Sequence, residues 1–160
     1  MRKKIVTAAV MLGGFVLLNG NPARAQTFSK EDTRLFRKDL KSLKKQIVAA
    51  NIELTDEEAQ QFWPIYDRYT AEMAKIMDKK YEVISDYLQN YDTVTDEQAD
   101  TYLLGRAAVE ESLLQLRLKY IPIFRKVLSG KTAALFFQID WRFGLVTDLQ
   151  LSSQVPTVEQ

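Results

Sequence analysis

The 160-residue chain has no histidine and no cysteine, and it uses only six glycines and four prolines. Without imidazole or thiolate the usual zinc, haem and copper ligand sets cannot be assembled, and Ser-His or thiol nucleophile chemistry has no base or sulfur to work with. Disulfide stapling is excluded outright. So little glycine and proline excludes collagen-like and low-complexity chains, and the length allows a single domain. A marked excess of positive charge is also lacking, with 22 Lys and Arg against 21 Asp and Glu. That balance argues against a nucleic-acid partner. No Gly-rich phosphate loop, nucleophile elbow or known solenoid period occurs. No cofactor and no catalytic residue are therefore expected.

What is present begins with a distinct N-terminal segment. Arg2, Lys3 and Lys4 precede an uncharged apolar run from Ile5 to Leu18, and Asn19, Gly20, Asn21 and Pro22 lead to Ala23-Arg24-Ala25. These are the n-region, h-region and A-x-A site of a secretory signal. A membrane-spanning helix needs about 20 apolar residues, and this shorter run contains Gly13 and Gly14. The expected divisions are a cleaved signal peptide over 1–25, one helical domain over 26–150 and a flexible tail over 151–160. An uncleaved anchor is the alternative, disfavoured by length. With no cysteine after the cleavage site, bacterial lipidation is excluded. Cleavage removes four positive charges and no negative ones, which leaves the mature chain at −3. The expected location is the periplasm, with no stable membrane insertion after cleavage.

From Ser29 to Leu149 apolar residues recur at spacings of three and four, and no stretch alternates with period two. The pattern predicts an all-α protein of about four helices, two of them long and amphipathic, in an elongated hairpin-type domain. Ser29 and Asp32 can open the first helix, with an apolar stripe Phe36, Leu40, Leu43, Ile47. Leu54-Thr55-Asp56-Glu57-Glu58 is a capping box that starts the second. Its stripe runs through Phe62, Tyr66, Tyr69, Met73, Ile84 and Tyr91 to about Asn90, with a kink expected at Pro64. Val94-Thr95-Asp96-Glu97-Gln98 repeats the signal for a third helix, with Val109, Leu113, Leu116 and Tyr120 on one side and a bend expected at Pro122. A fourth helix follows Ser129-Gly130, with Leu135, Phe136, Ile139, Phe143, Val146 and Leu149 as its apolar face. Apolar stripes this broad predict a homodimer to which the second helix contributes.

Two features suggest binding. Arg34, Arg37, Lys38, Lys41, Lys44 and Lys45 make the first helix basic, and Arg34, Lys38, Lys41 and Lys45 share a face by their spacing. That face either attracts acidic partners, unfolded clients or anionic lipid, or is a solvated surface paired with acids elsewhere. The second helix carries Phe62, Trp63, Tyr66, Tyr69, Tyr81, Tyr87 and Tyr91 on several faces. These rings belong to the core or a subunit interface, or leave an adaptable apolar surface of which Trp63 and Tyr66 are the candidates. Acidic groups carry less. Asn90-Tyr91-Asp92 fails as a calcium loop because Val94 occupies a ligand position and the required Gly and bidentate Glu are missing. The pairs Glu110-Glu111 and Asp96-Glu97 lie in helices rich in other charges and read as solvated surface.

At its capping boxes the chain resembles the Spy/CpxP-like periplasmic proteins, whose hallmark is a repeated L-T-x-x-Q element in a small exported helical chain. The copies here are Leu54-Thr55-Asp56-Glu57-Glu58 and Val94-Thr95-Asp96-Glu97-Gln98, with Glu58 replacing Gln in the first and Val94 replacing Leu in the second. The resemblance implies a cradle-like helical dimer acting as an ATP-independent chaperone for unfolded or partly folded envelope proteins, or as a modulator of a membrane-bound stress sensor. The alternative is a dedicated regulatory partner of one envelope sensor or anti-sigma protein. Only the cap positions carry over residue by residue.

Overall fold

The computed structural model describes residues 30–158, and of residues 30–37 the helical backbone alone. The signal segment, Ser29 and the side chains of Arg34, Phe36 and Arg37 lie outside the described residues. The fold is all-α: α1 (Lys30–Asn51), α2 (Asp56–Gln89), a 3-10 turn (Tyr91–Thr93), α3 (Asp96–Arg125) and α4 (Gly130–Ser152).

The starts of α2, α3 and α4 are set by caps that satisfy N–H groups the helix cannot pair itself. Thr55 Oγ1 accepts from the Glu58 N–H at 3.2 Å while the Thr55 N–H donates to Glu58 Oε2 at 2.9 Å. Thr95 and Gln98 make the same reciprocal pair at 3.3 and 2.9 Å. Ser129 Oγ accepts from the Thr132 N–H to open α4. Helix α2 continues through Pro64, and Pro122 lies in the last turns of α3.

Cross-helix pairs fix the topology. Phe62 meets Phe124, Glu72 meets Lys119, Lys80 meets Glu110 and Tyr87 meets Tyr102, so α2 and α3 form a long antiparallel hairpin. Gly105 lets them approach closely, because a Cβ there would lie 2.9 Å from Val83 Cγ2. Helix α4 returns parallel to α2, with Phe136 near Tyr69, Asp148 at Lys80 and Ser152 beside Tyr87. Helix α1 runs down to the connection end, where Val48 and Ile52 join the main core.

That core is aromatic. Phe62, Tyr66, Tyr69, Phe124, Phe136 and Phe137 pack with ring centroids 4.5 to 6.2 Å apart, mostly tilted or edge to face as ring quadrupoles favour. Val109, Leu113, Leu116 and Tyr120 are buried as their spacing predicts. Two faces differ from expectation. Helix α1 buries Lys44 and Val48, with Ile52 just past its end, and leaves Leu43 37% exposed, and α4 buries Asp140 while Leu135, Val146 and Leu149 face outward. A charged pair between Lys44 and Asp140 claims an inward position on each helix.

Candidate functional site: charged tethers, an outer apolar ridge and an aromatic tip

The basic face expected on α1 divides. Lys38 and Lys41 are exposed, as is Lys45, whose ammonium donates to Asp67 Oδ1 at 3.1 Å and stands 5.1 Å over the Trp63 ring and 5.8 Å over the Tyr66 ring. Lys44, one residue away, points the other way and is buried. Trp63 is half-buried against the core, and Tyr66 has no exposed surface. Lys44 and Tyr66 are thus buried and not on the exposed face with Lys38 and Lys41: the carboxylate of Asp140 draws one inward and the ring cluster encloses the other.

Lys44 ends at Asp140 Oδ1, while Oδ2 of the same carboxylate accepts from the Tyr69 hydroxyl at 2.9 Å and from Arg117 Nε at 3.2 Å. The Asp140 side chain is 1% exposed, and its oxygens are engaged from α1, α2 and α3. Held by two cations and a phenol and almost fully enclosed, this carboxylate is anchored by its neighbours. Burial first, and the nearby Asp140 charge second, push the Tyr69 hydroxyl far above its ordinary range, so it stays a donor. The Tyr66 hydroxyl is pushed up by the same causes in the same order, and it is buried without a hydrogen-bond partner.

A second tether lies higher. Lys80, 1% exposed, reaches Asp148 Oδ1 at 2.6 Å and Glu110 Oε1 at 3.6 Å, linking α2 to α4 and α3. On the surface, Glu72 accepts from Lys119 at 2.7 Å and from the Tyr120 hydroxyl at 2.7 Å. These donors hold the Glu72 carboxyl below its usual range, while burial and then the bond to Glu72 push the Tyr120 hydroxyl up to about 12. Lys80, Asp140 and Asp148 were missed by reading apolar periodicity. The signal that could have found Asp140 is a lone acid inside the run Phe136-Phe137-Gln138-Ile139-Asp140-Trp141.

The outer side of α3 and α4 is unexpectedly apolar. Leu103, Leu104, Leu114, Leu118, Leu145 and Leu149 are all more than half exposed, with Trp141 at 46%. Arg117 crosses from α3 to Asp140 and passes Gly144 on α4; Leu114 and Leu118 lie close to Arg117 along α3, and Trp141 and Leu145 follow Asp140 and Gly144 along α4.

At the far end of the hairpin the Tyr87 and Tyr102 rings stack with centroids 4.4 Å apart, and Tyr91 meets Tyr87 edge to face at 5.8 Å. The segment read from sequence as a tail lies across them. Helix α4 ends at Ser152, turn bonds from the Gln154 and Val155 N–H groups to the Leu151 and Ser152 carbonyls follow, and Pro156 has no N–H with which to resume a helix. The Tyr87 hydroxyl then donates to the Pro156 carbonyl at 3.1 Å and the Tyr91 hydroxyl to the Thr157 carbonyl at 2.9 Å. Beside this strap a cleft of about 270 Å³ remains, lined by Ile84, Tyr87, Tyr102, Arg106 and the tail.

Among the described residues no three acidic side chains converge as a metal would require, and no helix is long and apolar enough to cross a membrane. The cap residues Thr55, Glu58, Thr95 and Gln98 are occupied with one another, Leu54 packs against the core, and Val94 is half-buried near the tip. Neither family models nor characterised proteins nor solved structures show a significant match to this chain.

Proposed function

We propose that this chain is an exported, ATP-independent binding protein for unfolded or partly folded envelope polypeptides, of the Spy/CpxP-like kind, working without catalysis. The observation that carries the reading is the outer ridge of α3 and α4. A small helical domain that has already built a closed aromatic core has no folding reason to keep six leucines more than half exposed, and a large exposed apolar surface marks an interaction site. Lys38, Lys41 and Lys45 add a basic surface on α1 that can steer acidic clients, with Arg34 and Arg37 in the same helix. The two capping boxes support the family likeness, and their geometry gives them a structural role. The signal-like N-terminus supports a periplasmic location.

A second reading, a dedicated regulator of one membrane-bound sensor, uses the same ridge for a single partner. Self-association through it would give the homodimer expected from the sequence. The test is suppression of aggregation of several unrelated denatured proteins by the mature chain without ATP. Suppression is expected across clients and is expected to fall when Leu114 and Leu145 are both changed to Ser with helical content unchanged. Protection of none of them, with tight binding to one envelope protein, would replace the chaperone reading by the regulator.

A further inference from the structure

The tip of the hairpin holds its own C-terminal segment in a manner that an unrelated peptide could reproduce. Two neighbouring backbone carbonyls, those of Pro156 and Thr157, accept from two tyrosine hydroxyls on α2 and the turn after it. Recognition through main-chain oxygens is indifferent to side-chain identity, as in other modes that bind extended peptides. Val155 and Val158 line the adjacent cleft with Ile84 and Tyr102. Yet Pro156, Thr157 and Val158 remain exposed, Val158 by 48%. The strap is seated by polar contacts at its backbone and only loosely by its side chains.

The cleft beside it, about 270 Å³, is slightly under the lower limit of small-molecule pockets, about 300 Å³. It lies open beside the strap and has room for one bulky side chain where the tail offers valine. From these observations we infer that the Tyr87, Tyr91 and Tyr102 tip is a docking site for extended apolar peptide segments of the Val-Pro type, and that the C-terminal segment is its resident, displaceable occupant. A tethered occupant competes at an effective concentration in the millimolar range for short flexible linkers. The site therefore binds strangers weakly until the tail lets go, and release of the tail is the step that opens it. For its physiological partner the inference rests on the client-binding reading above. Its readout is peptide binding and not protection from aggregation, so failure of either leaves the other standing.

The experiment is fluorescence anisotropy with the full-length mature protein and two labelled peptides. One has the sequence of residues 153–160; the other is an unrelated extended peptide with a central Val-Pro and a flanking Phe. A release variant, Val155→Asp with Val158→Asp, withdraws the tail and leaves the helices untouched. Both peptides are expected to bind this variant at least tenfold more tightly than the unmodified protein. Adding Tyr87→Phe and Tyr91→Phe, which keep the rings and remove the donors, is expected to reverse most of that gain. No gain in the release variant at unchanged helical content overturns the inference, and so does a gain that persists without the hydroxyls. Binding of the tail sequence alone, with the Val-Pro peptide ignored, overturns the docking role and leaves the cleft as a seat for the chain's own end. If the double substitution lowers the helical signal, Pro156→Gly, which loosens the strap while keeping the carbonyl that accepts from Tyr87, carries the same comparison.

Discussion

The two ends of the hairpin are built from the same kind of side chain and behave differently. At the connection end, six aromatic rings close on one another with no exposed surface on Phe62, Tyr66, Tyr69, Phe124 or Phe136, and the charged anchor of Asp140 sits among them. At the tip, Tyr87 is 4% exposed but Tyr91 and Tyr102 are only half-buried, and the segment laid across them has no helical structure. Aromatic content alone therefore predicts nothing about burial. The number of helices that pass a level decides it: four surround Phe136, whereas the tip has two with the end of α4 beside them. Stability should be concentrated at the closed end and binding at the open one.

The strongest way to break this comparison is to remove Asp140. Asp140→Ala strands Lys44 as a buried unpaired cation and is expected to cost about 3–5 kcal/mol, read as a fall in the urea midpoint. Phe136→Ala should cost a similar amount, about 3–5 kcal/mol, while Tyr102→Ala at the half-covered tip should cost less than half of that. Equal losses at both ends would mean that the tip is as tightly held as the core.

Tyr66→Phe sharpens the same contrast with the opposite sign. Its hydroxyl is buried and unpartnered, so its removal should stabilise the fold by about 1 kcal/mol, visible as a higher melting temperature.

The two caps provide the internal control. Thr55→Ala and Thr95→Ala break the same reciprocal bonds and should each cost about 1 kcal/mol. Because Thr95 belongs to the open end, amide exchange should quicken locally around Val94 to Ala99 in that variant, whereas Thr55→Ala should speed exchange across the bundle. If either loses activity while its melting temperature holds, the Thr is a contact residue and the structural role of the repeated motif is wrong.

The smallest effect is a pH dependence halfway along the hairpin. The Tyr120 hydroxyl is raised from 10.0 to about 12. A raised pKa contributes stability that is fully present below the unfolded value and is lost as pH rises through the folded one. Tyr120→Phe should be less stable than the parent at pH 7 by no more than about 1 kcal/mol, and the difference should close between pH 10 and 12. Glu72, held low by Lys119 and Tyr120, works in the other direction: its contribution is present at neutral pH and fades as pH falls through its lowered value.

These contrasts also explain how much could be read from the sequence. Helix number and starts were legible because caps are local: the chemistry of Thr55 with Glu58 needs only four residues. The inward face of α3 was legible because Val109, Leu113, Leu116 and Tyr120 are apolar in a regular stripe. The inward faces of α1 and α4 were not, because Lys44 and Asp140 count as surface residues until each is seen with its partner 96 positions away. The binding features were half visible. The basic helix stands out in composition, but the exposure of Leu114 and Leu145 depends on which helices fail to cover them, and a hydrogen bond from Tyr87 to a carbonyl 69 positions on leaves no local trace.

One consequence of the placement of Trp63 and Trp141 concerns light. They are the only two indoles in the chain; one is half-buried beneath an ammonium among edge-on rings, and the other stands 46% exposed on the outer ridge. The two chromophores therefore have different surroundings, although both belong to the closed end, where the Trp141 ring lies 6.2 Å from that of Phe137. Trp141 reports the polarity of whatever covers the ridge, and Trp63 reports whether the closed end is intact. With Trp63→Phe, a blue shift of the remaining emission on adding a client would follow docking directly; with Trp141→Phe the spectrum should stay still until the bundle melts.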